Sequence, residues 1–516
     1  MAKINHISKI LLTSVGFLAL AACGADDVAS PGEGVIIPGT PPAPPAPPPP
    51  PPPSTGPAAN CPTGTANVGI ISNLRNCQLS GTITGALTIR NLRGVIYSYS
   101  GRVAVGVDVG GDGNAPGGSP GILTIEPGTV LFGSSGADFL LINRGSQLFA
   151  EGTMTNPIVM TSRANIEGTS TADSIGQWGG VVILGRAPIS DCIGAGVVGG
   201  SVGCQGAVEG VNNGFFGGAS PADNSGRIRF VQVRYPGFEI APGNELNGIT
   251  LAGVGRGTTI DHIQVHNSSD DGIEWFGGTV NSSFLVLTGN DDDNLDTDIG
   301  YIGYTQFVYV NQRTGGGDRI IEADSPGNTE MLPRQNARLA NFTFVNNRPA
   351  DPILLRGGTD YTLVNGVIAA PGTGTQCVDI DEAATIRAAD ATLQDLGPPV
   401  FRSNFFGCAG GLAENDTDVN AAMVSPLLTI NNNVAATTNS LVALFTGGPL
   451  GFPGTMEAAV TAFDPTTLNT AASGNFFVAA PYAGAFRNAQ DTWFAGWTCG
   501  LVAGSSCTAA PANTGS

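Results

Sequence analysis

From about residue 80 to residue 370 the chain repeats one local pattern, and that pattern decides most of what it can fold into. Short runs rich in β-branched or apolar residues alternate with Gly, Asn and Asp, as in Phe139-Leu-Leu-Ile142, Thr259-Ile-Asp-His-Ile-Gln-Val265, Ser283-Phe-Leu-Val-Leu287, Gln306-Phe-Val-Tyr-Val310 and Tyr361-Thr-Leu-Val-Asn-Gly-Val-Ile368. Runs of this length, bounded by turn formers, read as strands and exclude a helical bundle. The 75 glycines among 516 residues fit the same reading. Short strands build either sandwiches or solenoids, and here they recur over nearly 300 residues without a domain-sized break. The expected fold is therefore all-β, a parallel β-helix with one continuous core and Asn, Gly or Asp at bends that need left-handed backbone. Two β-sandwich domains are the alternative.

Charge narrows the function classes. The only lysines, Lys3 and Lys9, lie in the first ten residues; without residues 1–22 the chain keeps 20 Arg against 41 acids, a formal charge of −21. Phosphate binding needs clustered positive charge, so nucleic acid is not an expected partner. With no lysine and only His262 and His266 left, Schiff-base chemistry, serine-hydrolase triads and histidine-rich zinc sites are disfavoured. Both histidines are expected at the surface or in turns.

The first residues give the destination. A basic start and an apolar run, Ile10–Ala22, are too short for a membrane span of about 20 residues and read as a cleaved export signal. The sequence Leu20-Ala21-Ala22-Cys23 resembles the lipobox of bacterial lipoprotein precursors, which implies cleavage before Cys23, its acylation and, with Gly24 following, transfer to the outer membrane. Pro38 to Pro57, with an unbroken run from Pro47 to Pro53, reads as a polyproline stalk on the order of 60 Å long. Eight further cysteines form four sequence-local couples, predicted as the disulfides Cys61–Cys77, Cys192–Cys204, Cys377–Cys408 and Cys499–Cys507. The expected organisation is a signal peptide over 1–22, the lipidated Cys23 and stalk over 23–57, the β-helix over 58–370 and an irregular cap over 371–516. One short helix, Asp381 to Leu396, is predicted in the cap from its Ala-rich sequence and its Gly397-Pro398-Pro399 stop. The cap is expected to cover the last coil.

The segments Leu123-Thr-Ile-Glu-Pro-Gly-Thr129, Gly145-Ser-Gln-Leu-Phe-Ala-Glu-Gly-Thr153, Gly179-Gly-Val-Val-Ile-Leu-Gly185, Asp270-Asp-Gly-Ile-Glu-Trp-Phe-Gly-Gly278 and Asp291-Asp-Asp-Asn-Leu-Asp-Thr-Asp298, with Tyr482-Ala-Gly-Ala-Phe486 and Trp493-Phe-Ala-Gly-Trp497, resemble a family of bacterial surface lipoproteins. That resemblance implies a right-handed parallel β-helix body and association with TonB-dependent receptors, and it carries no established reaction.

The chemistry is concentrated between residues 261 and 324. Coils of roughly 20 to 25 residues would stack Asp270, Asp271 and Glu274 on Asp291, Asp292, Asp293, Asp296 and Asp298. Carboxylates so placed repel, and Ca2+, which takes about six to eight oxygen ligands, is the expected remedy. The expected function is binding of an extracellular ligand or glycan, as an accessory to a TonB-dependent transporter. A polysaccharide lyase or glycoside hydrolase is the alternative, with Asp271, Asp292, Arg313 and Arg319 as its residues: a lyase would use carboxylate-held Ca2+ with Arg313 or Arg319 as base, and a hydrolase would use Asp270 with Asp271, Asp291 or Asp292 as acid and base. The Gly-His-Gly and Arg-Ile-Lys signatures of the pectin hydrolases are missing, the nearest stretch being Arg319-Ile-Ile-Glu322. A structural or adhesive surface protein is the third reading. Trp275, Phe276, Tyr301, Tyr304, Phe307 and Tyr309 follow the strand spacing and are expected to fill the core rather than stack on sugars.

Overall fold

The computed structural model of the chain describes residues 56–241, 243–325 and 330–515; the signal peptide, Cys23 and the stalk up to residue 55 lie outside them. The strands form a parallel β-helix, so the two-sandwich alternative is overturned. One stack of short strands runs Phe139–Ile142, Gly180–Leu184, Ile249–Ala252, Ile273–Phe276, Leu295–Asp298, Ile321–Ala323, Ile353–Leu355 and Gln376–Ile380, each parallel to the next. A second stack of longer strands runs Gly226–Arg234, Thr259–His266, Asn281–Thr288, Tyr304–Asn311, Asn336–Val345 and Asp360–Ala370. Side chains alternate across each strand, so Ile249, Ile273, Leu295, Ile321 and Ile353 stack inward while their neighbours face out. A single apolar core runs from Cys77 and Leu79 to Val424 and Leu428.

Each long strand bends in the middle. Gly226–Arg234 shows why: its first half pairs with Gln147–Glu151 and its second half with Ile158–Ser162, so one strand serves two sheets. The bend residues stack in register as Phe230, His262, Phe284, Phe307, Asn341, Asn365 and Ser403, all with left-handed φ between 50° and 64°. Asn and Gly were expected at such bends, yet four carry rings, for which this conformation is strained. The rings offset that strain by stacking: Phe230–His262, His262–Phe284 and Phe284–Phe307 centroids lie 4.2, 4.3 and 4.7 Å apart.

The coils continue past residue 370, where the sequence reading ended them. Val400–Arg402 and Phe405–Cys408 add to Asp360–Ala370, Gly411–Ala413 adds to Gln376–Ile380, and Val434–Ala436 adds to Phe405–Cys408. The helix expected over 381–396 is reduced to one turn, Ala383–Ile386, and a 3-10 turn, Ala391–Leu393. Glu382 takes a φ of 66°, Arg387 is extended to bind Glu330 and Asp395, and Asp390 bonds its own turn, so local polar contacts defeat the Ala-rich propensity. The longest described helix is Ala421–Leu428, capped by Asn420, which lays Val424 and Leu428 on the end of the core.

The remaining C-terminal residues do not cap the last coil. They run back along the bent strands as a strap: Leu450 O accepts from the Tyr309 hydroxyl, Ala485 N donates to Thr343, Cys499 N donates to Gln264, Ala509 O accepts from Arg234, and Asn513 reaches Val95 near the first coils. Asn341 and Asn365 hold it by donating to Tyr482 O and Phe463 O, both at 2.8 Å. Trp493 and Trp497 close edge-on over His262. His262 is thus a covered bend residue, and His266 is half-buried, with desolvation and the nearby Arg234 pushing its imidazole down to about 3. All four predicted disulfides form.

Candidate functional site

The short-strand stack carries its acids outward. Register places Glu274 opposite Asp296 and Asp296 opposite Glu322, while Ile273, Leu295 and Ile321 beside them fill the core. One coil of the ladder separates successive carboxylates, about 4.8 Å. In the turn before these strands Asp271 Oδ1 accepts Asp293 N at 3.0 Å and Asp293 Oδ1 accepts Arg319 N at 2.6 Å, so each carboxylate ties down the next coil. Outside them Asp270, Asp292 and Asp318 follow the same stacking, with Asp318 N donating to Asp292 O.

The result is a wall of three overlapping triads: Asp270, Asp271 and Asp292; Asp271, Glu274 and Asp296; Asp292, Asp293 and Asp318. Within each, one ligand oxygen per residue lies within 4.8 Å of the others. Asp271, Glu274 and Asp293 are buried, whereas Asp292 faces solvent. Burial, reinforced by Asp292, pushes Asp270 up to about 7; partial desolvation of the inner side of its otherwise exposed carboxylate, with the charge of Asp318, pushes Asp292 up to about 6. Asp271, Glu274, Asp293 and Asp296 are driven well above the carboxylate range by burial and by one another. Asn247 donates to Glu274, and one Asp296 oxygen is buried with no donor at all. The donors are all hard oxygens spaced as a shared cation requires, so the residues fit Ca2+.

Of the expected ligands, Asp291 stands apart: it is paired with Arg313 and belongs to none of the triads. Asp298 stands at the edge of the wall, where burial pushes it up to about 8, and it faces a cleft of 420 Å³ with Asp191, Ile193, Phe216 and Phe276. The cleft is roofed by the Cys192–Cys204 loop. Phe276 is half-buried there; Trp275 and Tyr301 fill the core as expected, whereas Tyr304, Phe307 and Tyr309 are buried outside it, on the outer side of the bent strands.

Neither candidate base is free. Arg313 is held by Asp291, and Arg319 donates to Asp351 O at 3.1 Å and to Asp379 Oδ2 at 3.3 Å, turned toward later coils. Sequence reasoning missed Arg356, which pairs with Glu322 at 2.6 Å and Asp324 at 3.0 Å and so ends the wall. It also missed a separate group, Asp379, Asp381 and Asp416. The strand alternation Asp379-Ile-Asp381 was the available signal, hidden by ending the coils too early.

The family profile described as a pectate-lyase-like beta helix domain matches residues 116–439, more than half of the chain, and its end falls where the coils end. No curated protein and no solved structure matches significantly. The stacked coils and the profile agree, and the chain belongs to the pectate-lyase-like beta helix domain family.

Proposed function

We propose that this protein is an outer-membrane surface lipoprotein that binds an extracellular glycan at the carboxylate wall, with Ca2+ bridging the two. The observation that carries this reading is the set of three overlapping triads with no arginine among them. Asp271, Glu274 and Asp296 hold one ion, and the more exposed Asp270 and Asp292 leave coordination positions for a ligand's own oxygens. Without residues 1–22 the chain has a formal charge of −21 and repels an anionic sugar, so the cation supplies the missing attraction. The neighbouring cleft adds the Phe276 face and the carboxylates of Asp191 and Asp298, a combination of apolar platform and polar acceptors suited to a sugar ring. Acylated Cys23 and the proline stalk would tether the protein to the membrane, where it would be available to a TonB-dependent transporter.

Binding of uronate-rich polysaccharide, measured with calcium and with chelator, tests the reading: binding should require calcium and be lost in Glu274→Gln. Binding unchanged by chelator sinks it. The family likeness favours a second reading, a polysaccharide lyase, and its sign would be new unsaturated ends released from the same polysaccharides. The pairing of Arg313 with Asp291, of Arg319 with Asp379 and Asp318, and of Arg356 with Glu322 and Asp324 speaks against that reading, because each of these bases is held by carboxylates.

A further inference from the structure

We infer that the chain has a second divalent-cation site, built by Asp379, Asp381 and Asp416, which clamps the last coil of the β-helix. Asp379 lies on Gln376–Ile380 between the core residues Val378 and Ile380 and therefore faces outward; Asp381 follows two positions later on the same side. Asp416 comes from the next coil, just after Gly411–Ala413, which pairs with Gln376–Ile380. Ligand oxygens of the three carboxylates lie within 4.8 Å of one another.

A second observation is independent of this charge count. Asp379 is 5% exposed; Arg319 occupies its Oδ2, and its Oδ1 is buried with no hydrogen-bond partner. A buried carboxylate oxygen without a donor costs free energy unless something satisfies it, and here the neighbouring groups are further carboxylates. Asp351, 3% exposed, repeats the feature on the preceding coil: Oδ1 accepts Gln376 N at 2.7 Å, and Oδ2 is buried without a partner. Glu414 adds another negative charge beside it. The guanidinium group of Arg319 touches this group, while Arg356 is taken by Glu322 and Asp324. All the donors are carboxylate oxygens, which selects a hard ion, and Ca2+, with its variable coordination, tolerates such a set better than Mg2+, which demands near-ideal octahedral geometry.

The two coils joined by the ion are also those joined by the Cys377–Cys408 disulfide, and the next element is the helix Ala421–Leu428 that closes the core. The ion would thus fasten the end of the solenoid, a role separate from the glycan-facing wall. Arg319 and Arg356 stand between the two groups, so the sites should bind independently.

Equilibrium dialysis of the full chain against calcium at neutral pH, counting ions per molecule, tests the assignment. Asp381→Asn with Asp416→Asn should remove one ion, and Asp271→Asn with Glu274→Gln should leave that ion in place. If the double variant unfolds by circular dichroism, Asp416→Asn alone, on a half-buried loop, should weaken one class of site at least tenfold. An unchanged ion count and affinity, or no calcium bound by the wild type, overturns the inference. Loss of an ion only from the Asp271 and Glu274 variants overturns it while sparing the proposed function. Loss only from the Asp381 and Asp416 variants does the reverse.

Discussion

Two outer faces of the same solenoid have been put to opposite uses. On the bent strands the outward positions are Phe, His, Tyr and Asn, and the chain covers them with its own C-terminal strap, burying Trp497, Phe486 and Phe494 against Val286, Tyr309 and Val367. On the short strands the outward positions are Glu274, Asp296 and Glu322, which no arginine neutralises until Arg356 pairs with Glu322. Stacking multiplies whatever side chain the repeat places outward. Apolar and aromatic residues so multiplied need a cover; carboxylates so multiplied need a counter-ion.

Removing the cover should have the largest effect. Trp497 is fully buried, packed on Phe230 and His262, so Trp497→Ala should cost about 3–5 kcal/mol by chemical denaturation and expose the strap to limited proteolysis. Calcium binding at the wall should survive this change; its loss would show that the faces are not separate. Next comes the counter-ion itself. Calcium at a hundredfold excess over its dissociation constant should stabilise the fold by about 2.7 kcal/mol.

In chelator, pH should act in a defined direction. Asp292, Asp270 and Asp298 have folded-state values pushed up to about 6, 7 and 8, so the folded chain binds more protons than the unfolded one. Stability is then greatest near the unfolded carboxylate value, about 4, and is lost as pH rises through 8. Melting temperatures measured from pH 5 to 8 check the sign; a rise over that range would mean that the wall carboxylates are not repelling one another.

Smaller effects sharpen the contrast. Glu274→Gln should stabilise the calcium-free protein at pH 8 by about 1 kcal/mol, since it removes a buried like charge, while weakening calcium binding. Asp292→Asn should also stabilise the calcium-free protein at pH 8, by less than Glu274→Gln because the position is exposed, and lower calcium affinity in a titration.

The covered and open faces were unequally legible in the sequence. The coils followed from short apolar runs and turn residues, because each coil repeats the same alternation of core and outward positions. The wall followed from the spacing of Asp270 and Asp271 to Asp292 and Asp293, one coil apart, which the register of the ladder reproduces. The disulfides were legible because each closes a short local loop.

The strap was not legible: its contacts join residues far apart in the chain, such as Asn365 with Phe463, 98 positions apart, and Val95 with Asn513, 418 apart, and its own sequence carries no period. The left-handed bends at Phe230, Phe284 and Phe307 were hidden for the same reason, since only the stacked neighbours and the strap make a strained aromatic tolerable there. Asp291 and Asp292 are adjacent and alike on paper, yet Arg313, brought in by the following coil, takes one and leaves the other to the wall.

On the proposed function the open face is a cation-binding wall. Thermal melting of the full chain at pH 8, in chelator and in millimolar calcium, tests it most directly. A clear rise in melting temperature with calcium, largely abolished by Asp271→Asn with Glu274→Gln, is the result the account predicts. Equal melting temperatures with and without calcium, in a chain whose stability does not fall from pH 5 to 8, would contradict it.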